Sequence, residues 1–178
     1  MCPYLSGVNY ESVADGPGVR AAIFLSGCSH FCPGCHNPDT SNPTHGHVID
    51  SYVLEDIASN IESRPYLSGI TLTGGDPLYN PKNTYDFVRA LRHRLWHTWS
   101  NYSIWLYTGY TWEQIVHKMK TDTHLRLLLS TCSVVVDGMF VQSLADKTLA
   151  FRGSSNQRLI DVNRSLKQSH PVLWDGIS

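Results

Sequence analysis

Short β-rich runs that each stop at a glycine-bearing turn, separated by stretches of helical period, constrain this chain more than any other feature. Residues 21–26 (Ala-Ala-Ile-Phe-Leu-Ser) stop at Gly27, residues 69–73 at Gly74-Gly75, residues 102–107 at Thr108-Gly109, and residues 133–136 at Asp137-Gly138. Between them, residues 50–63 carry Val53, Ile57 and Ile61 at helical intervals. Phe87, Leu91 and Leu95 mark one face of a second helix, which opens at Asn80-Pro81 and fades near Trp99. Thr111 opens a short helix with Trp112, Ile115 and Met119, and residues 158–162 read as a last strand. Alternation of this kind implies an α/β fold with a mainly parallel sheet. Turns at the carboxyl ends of such strands gather on one rim, where ligands bind. With so few strands, the pattern predicts an incomplete (partial) β/α barrel and not a closed eightfold one. No repeat, linker or low-complexity stretch divides the chain, so residues 1–178 are expected to form a single domain with a substantial core.

The turn after the first run holds the densest chemistry: Gly27-Cys28-Ser29-His30-Phe31-Cys32-Pro33-Gly34-Cys35-His36-Asn37. Three thiolates so close in sequence can meet on one inorganic centre, and their C-x3-C-x2-C spacing leaves that centre one ligand short of the closed shell of structural zinc. A four-iron, four-sulfur cluster held by three cysteines keeps one iron free for a substrate. The spacing points to Cys28, Cys32 and Cys35 as ligands of such an open site. Zinc closed by His30 or His36 is the other reading of the same residues. Gly27 and Gly34 suit either, because they let backbone wrap closely around a centre. Cys2, near the terminus, and Cys132, beside an apolar run, read as inert thiols.

The remaining features exclude more than they assign. Five cysteines, three of them clustered, do not make a disulfide framework; they suggest metal binding in a reducing, cytoplasmic compartment. A formal net charge of −1 argues against a broad nucleic-acid surface. No apolar run approaches the roughly 20 residues that span a bilayer, and Met1-Cys2-Pro3-Tyr4 has no secretory pattern. Gly74-Gly75-Asp76-Pro77 reads as a turn that also exposes bare carbonyls able to hold an ammonium group, with Asp76 supplying charge. Asp137 reads as a turn residue or a ligand-side acid, and Arg152 and Arg158 as solvated loop charges or as contacts to a cofactor or partner. Trp96 and Trp99 are expected to be packing residues, and most of the nine histidines to be surface groups.

Cys28-x3-Cys32-x2-Cys35 followed by Gly74-Gly75-Asp76-Pro77 resembles the radical S-adenosylmethionine (SAM) enzymes, and Asp15-Gly16-Pro17-Gly18-Val19-Arg20 is similar to their activating branch, which makes glycyl radicals on partner enzymes. Residues 107–111 (Tyr-Thr-Gly-Tyr-Thr), 136–140 (Val-Asp-Gly-Met-Phe) and 152–158 (Arg-Gly-Ser-Ser-Asn-Gln-Arg) narrow the resemblance to the activators of anaerobic ribonucleoside-triphosphate reductase. Two positions depart from the wider pattern: Gly34 stands where many relatives have an aromatic residue, and Asp76 where many have glutamate.

The resemblance implies an oxidoreductase of radical SAM type with two cofactors, one [4Fe–4S] cluster per chain and S-adenosyl-L-methionine. In that reading Gly74, Gly75 and Asp76 orient the amino end of SAM. Gly34, Cys35 and His36 supply backbone near its adenosyl part, and Asp137 lies near SAM or a cation. An external reductant such as flavodoxin provides the electron, SAM is cleaved reductively, and a hydrogen is taken from a glycine in the large subunit of the reductase. No nucleic acid, membrane or general acid–base pair is required. A pyruvate formate-lyase-type activase, another radical SAM enzyme, an electron carrier and a zinc-bearing binding module are the alternatives that the same residues leave open.

Overall fold

The computed structural model describes residues 3–176, so the expectation for Cys2 lies outside the described residues. Among these residues seven strands form one sheet: β1 (Tyr4–Ser12), β2 (Arg20–Leu25), β3 (His47–Val48), β4 (Gly69–Gly74), β5 (Ser103–Tyr107), β6 (Val134–Asp137) and β7 (Arg158–Asp161). Their order across the sheet is β3-β1-β2-β4-β5-β6-β7. The four central strands β2, β4, β5 and β6 are parallel, as the alternation implies, and the edges are not. β1 runs antiparallel to β2 and to β3, and β7 runs antiparallel to β6. For β1 the reason is chain length. Only residues 13–19 join it to β2, too few for the dozen or more that a parallel crossover needs.

β1 and the two-residue β3 are absent from the sequence reading. β1 mixes Ser, Gly, Asn and Glu with its apolar residues, is half-exposed for most of its length, and has irregular register against β2. No clean alternation survives there to be read.

Among the described residues five α-helices bury their apolar residues in one core against the sheet: α1 (Ser51–Glu62), α2 (Pro81–Arg94), α3 (Trp112–Lys118), α4 (Thr123–Leu129) and α5 (Val162–Gln168). Short polar residues start them. Asp50 accepts from the Val53 amide, Asn80 from the Asn83 amide, and Thr111 with Gln114 forms a capping box that opens α3. α4 and α5, each seven residues long, are absent from the sequence reading. α2 ends at Arg94 and a 3-10 turn follows at Trp99–Asn101. Trp99 packs on the core as expected, whereas Trp96 is 68% exposed with its ring against His97.

Strand alternation sorts the two faces. Ile70, Leu72, Ile104, Leu106 and Val135 join the helices in the main core. Trp105, Val134 and Val136 point the other way, into a smaller cluster with Tyr107, Phe151, Leu159 and Trp174. Arg20 lies fully buried on this second face, with its guanidinium 5.4 Å from the Trp105 ring centroid. Its nitrogens donate to Thr71 Oγ1 at 2.8 Å, Ser103 Oγ at 2.9 Å, the Ile70 carbonyl at 3.0 Å and the Ser103 carbonyl at 2.7 Å. Burial lowers its pKa to about 10, so it stays charged at neutral pH and joins β2, β4 and β5 through neutral acceptors. No helix among the described residues is long and apolar enough to cross a membrane.

Candidate active site

The carboxyl ends of β2, β4, β5 and β6 meet around a cavity of about 400 Å³. Cys28, Cys32 and Cys35 reach its wall from the loop after β2, Gly74 to Asp76 from the loop after β4, Thr108 and Gly109 from the loop after β5, and Gly138 and Phe140 from the loop after β6. The four turns marked in the sequence therefore converge on one edge of the sheet. The loops are laced by backbone: the Asp76 amide donates to the Gly27 carbonyl and the Gly75 amide to the Leu25 carbonyl, both at 2.8 Å. Gly75 has to be glycine, because a Cβ there would lie 2.5 Å from the Gly27 carbonyl oxygen.

All three clustered thiols are free; Cys28 and Cys32 are half-buried and Cys35 is exposed. Each sulfur has a backbone amide beside it. The His30 amide donates to Cys28 Sγ at 3.5 Å and the Asn37 amide to Cys35 Sγ at 3.4 Å, and the Phe140 amide serves Cys32. Such donors favour thiolate, but burial outweighs them and pushes the Cys28 and Cys32 thiols up. Acids, histidines and thiols line the cavity, and among the described residues no lysine or arginine does. The positive charge that this donor set fits is a metal centre bound to the sulfurs.

Zinc and an iron–sulfur cluster make different demands here. Zinc needs its ligands to converge on one point. Among the described residues no three His, Cys, Asp or Glu side chains gather closely enough to share one ion. The two histidines proposed to close such a shell are engaged elsewhere, His30 on Asp76 and His36 against the Phe140 ring at 4.9 Å. A cluster spreads its cysteine-bound irons over an inorganic core, and the three cysteines line one cavity that could take such a core.

Asp76 is 4% exposed and saturated. Its Oδ2 accepts from His30 Nε2 at 2.6 Å, Thr108 Oγ1 at 2.9 Å and the Gly109 amide at 3.1 Å, and its Oδ1 accepts from the Leu78 amide at 2.8 Å. This carboxylate fastens three loops together, and Gly74 and Gly75 line the cavity beside it.

Other candidates from the sequence divide between the cavity and the rest of the fold. Cys35 and His36 line the cavity, but Gly34 is not among its lining residues; it turns at φ +73° against Gln142. Asp137 is buried on the helix side of β6 and does not reach the cavity wall. Its Oδ2 accepts from the Trp112 amide at 2.7 Å and from Arg158 Nη2 at 2.5 Å, and its Oδ1 from Arg158 Nε at 3.1 Å. Arg158 also grips both Glu113 oxygens, which lowers the Glu113 carboxyl to about 2. Arg158 is thus neither a solvated charge nor a cavity residue but a clamp between β6, β7 and α3. Arg152 donates to the Gln157 carbonyl at 3.1 Å, and its Nε is buried without a partner. Cys132 is fully buried, donates to the Leu128 carbonyl, and has its thiol pushed up to about 12 by burial, as suits an inert thiol.

Several wall residues escaped the sequence reading as individuals. Asp15, Tyr107, Phe140 and Gln157 all line the cavity. Tyr107 lies in the Tyr-Thr-Gly-Tyr-Thr segment, where strand parity places it on the second face, and its hydroxyl donates to the Phe151 carbonyl. Gln157 closes the loop after β6: its Oε1 accepts from the Gly153 and Ser154 amides, and its Nε2 donates to the Gly138 carbonyl.

Comparison with known proteins agrees with an iron–sulfur centre in this chain. Residues 14–160 match the family described as a 4Fe-4S single cluster domain, which defines the class of protein this is. The anaerobic ribonucleoside-triphosphate reductase-activating protein of Enterobacteria phage T4 is 35% identical over 159 residues, covering 85% of this chain and 93% of its own. Those of Escherichia coli (strain K12) and Vibrio cholerae are 35% and 37% identical over 146 residues, each covering 82% of this chain and 90% and 89% of their own. The chain belongs to the family of anaerobic ribonucleoside-triphosphate reductase-activating proteins.

Proposed function

We propose that this chain is the iron–sulfur activase that reductively cleaves SAM and thereby generates a glycyl radical on anaerobic ribonucleoside-triphosphate reductase. The observation that carries this reading is the meeting of Cys28, Cys32 and Cys35 with the bare Gly74-Gly75 backbone around one cavity at the carboxyl ends of the parallel strands. In this reading residues 1–178 are a single radical SAM domain, and the sheet is the incomplete barrel of that type. Free thiols among the described cysteines suit a reducing, cytoplasmic setting.

Cys28, Cys32 and Cys35 would hold the [4Fe–4S] cluster, with the amides of His30, Asn37 and Phe140 stabilising negative charge on the sulfurs. When bound, that cluster supplies the electron for cleavage of the SAM sulfonium bond, received from a reductant such as flavodoxin. Gly74 and Gly75 present carbonyls to the ammonium of SAM, and Asp76 keeps that turn in place through its four hydrogen bonds. Cys35 and His36 contribute backbone toward the adenosyl part. Phe140 and Tyr107 narrow the apolar side of the cavity and limit water around a reactive species. The partner is the large subunit of the reductase, whose glycine must reach the cavity mouth. Asp137 and Gly34 have no direct ligand role in this account.

The test uses anaerobic protein with reconstituted iron and sulfide, dithionite, SAM and an anaerobic ribonucleotide reductase. A glycyl-radical doublet in electron paramagnetic resonance, together with 5′-deoxyadenosine, is the expected result. 5′-Deoxyadenosine without a doublet on the reductase would assign another target. Bound zinc without sulfide, and no cleavage, would overturn the reading. In Cys28→Ala, SAM cleavage should fall to background with iron and sulfide lost; a full cluster in that variant would remove Cys28 from the ligand set.

A further inference from the structure

The loop that carries the three cysteines is held by more than its backbone. His30 sits between Cys28 and Cys32, yet its side chain is turned inward and only 12% exposed, while the next residue, Phe31, has φ +49° and is 74% exposed. Three independent contacts receive the imidazole. Nε2 lies 2.6 Å from Asp76 Oδ2, in a carboxylate that is itself 2% exposed. The ring meets the Tyr110 ring edge-on, with centroids 4.7 Å apart. It also lies so close to Gly109 that a Cβ at that position would stand 2.5 Å from its Cδ2. The backbone of Gly109 is in a conformation that any residue can adopt, so the glycine is required by the histidine and not by its own φ.

We infer that His30 is a positioning residue, a latch that docks the cysteine loop into a socket formed by Asp76, Gly109 and Tyr110, and so fixes Cys28 and Cys32 relative to the Gly74-Gly75 turn. The inference rests on the proposed function for its consequence in SAM binding, but not for the latch itself. Asp76 is the shared element: the carboxylate that takes the His30 proton donor also takes Thr108 and the Gly109 amide. Movement of the cysteine loop and movement of the SAM-facing turn are therefore linked through one acid. A loop that carries cluster ligands on a surface-exposed segment has few apolar contacts of its own, so a single buried, charge-assisted hydrogen bond is a large share of what orders it.

Two substitutions reach the latch from opposite sides. His30→Ala removes the key, and Gly109→Ala fills the keyhole without deleting any polar atom. Amide hydrogen exchange on the full chain without metal is the first readout. In each variant, residues 28–36 should exchange roughly tenfold to a hundredfold faster while α2 keeps its protection. Because both act on one contact, the double variant should be no looser than His30→Ala alone. His30→Gln, which restores an N–H donor, should recover part of the protection. On cluster-loaded protein the same variants should raise the KM for SAM about tenfold, with a smaller change in kcat. Unchanged exchange at residues 28–36 in His30→Ala, or a double variant showing the product of the two single effects, would overturn the latch. Absence of SAM cleavage in the wild-type protein would instead count against the proposed function, and the exchange data would still decide the latch.

Discussion

Asp76 and Asp137 stand at the ends of parallel strands two apart in the same sheet, both buried, and the fold uses them in opposite ways. Asp76 faces the cavity and is satisfied by a histidine, a hydroxyl and two amides from neighbouring loops. Asp137 faces the helices, paired with Arg158 and capping the first turn of α3 through the Trp112 amide. Strand parity explains the difference. Asp137 is the last residue of β6 and shares the face of Val135, which belongs to the helix-side core. Asp76 lies beyond the end of β4, where the pleat no longer dictates direction and the loop can aim it at the cavity. An acid at the carboxyl edge of a parallel sheet is thus a site residue only if it also points to the open face.

Exchanging charge for amide at each aspartate separates the two roles. Asp76→Asn keeps the shape but turns one acceptor oxygen into a donor, which then faces either the Leu78 amide or the His30, Thr108 and Gly109 donors. SAM cleavage should fall about 100-fold, with unfolding stability reduced by about 2 kcal/mol. Asp137→Asn should show the reverse pattern: a loss of about 3 kcal/mol in denaturant unfolding, with the KM for SAM changed by less than about twofold. A tenfold rise in that KM would mean that Asp137 faces the ligand after all. Arg158→Lys tests the clamp from the other side. An ammonium cannot grip Asp137 and Glu113 in the forked manner seen here, and a loss of about 1–2 kcal/mol is expected without a change in iron content.

The smallest effect belongs to Glu113, whose side chain is 58% exposed and whose pairing is therefore screened. Its carboxyl is lowered to about 2 by Arg158, from an ordinary value of about 4.3. A depressed carboxyl stabilises the fold above its unfolded value and loses that contribution as pH falls towards its folded one. The difference in melting temperature between wild type and Glu113→Gln should correspond to about 1 kcal/mol or less at pH 7 and shrink between pH 4.5 and pH 3. A difference that stayed constant over this range would remove the ion pair from the account.

Much of the site was legible in the chain because its signals are local. The cysteine spacing, the glycine pairs and their places after β-rich runs sufficed to bring four loops to one edge, since parallel strands with intervening helices put all such loops on the same side. β1 was missed because a half-exposed edge strand with irregular register carries no clear alternation. Arg158 resisted assignment because its partners, Asp137 and Glu113, are 21 and 45 residues away. In sequence His30 shows only its place between two cysteines, which suggests a metal ligand. The parity of Val134-Val135-Val136-Asp137, by contrast, was available and predicts which way Asp137 points.

By itself the sequence determined the class of sheet, the edge on which chemistry gathers and the three thiols that can hold a cluster, because these depend on periodicity and short spacings along the backbone. Only the tertiary structure decided which acid faces the cavity, which arginine is structural and that His30 is a docked key. Those outcomes depend on which side chains from distant strands and loops compete for the same few buried donors and acceptors, and a buried polar group must take the partners that the fold brings within reach.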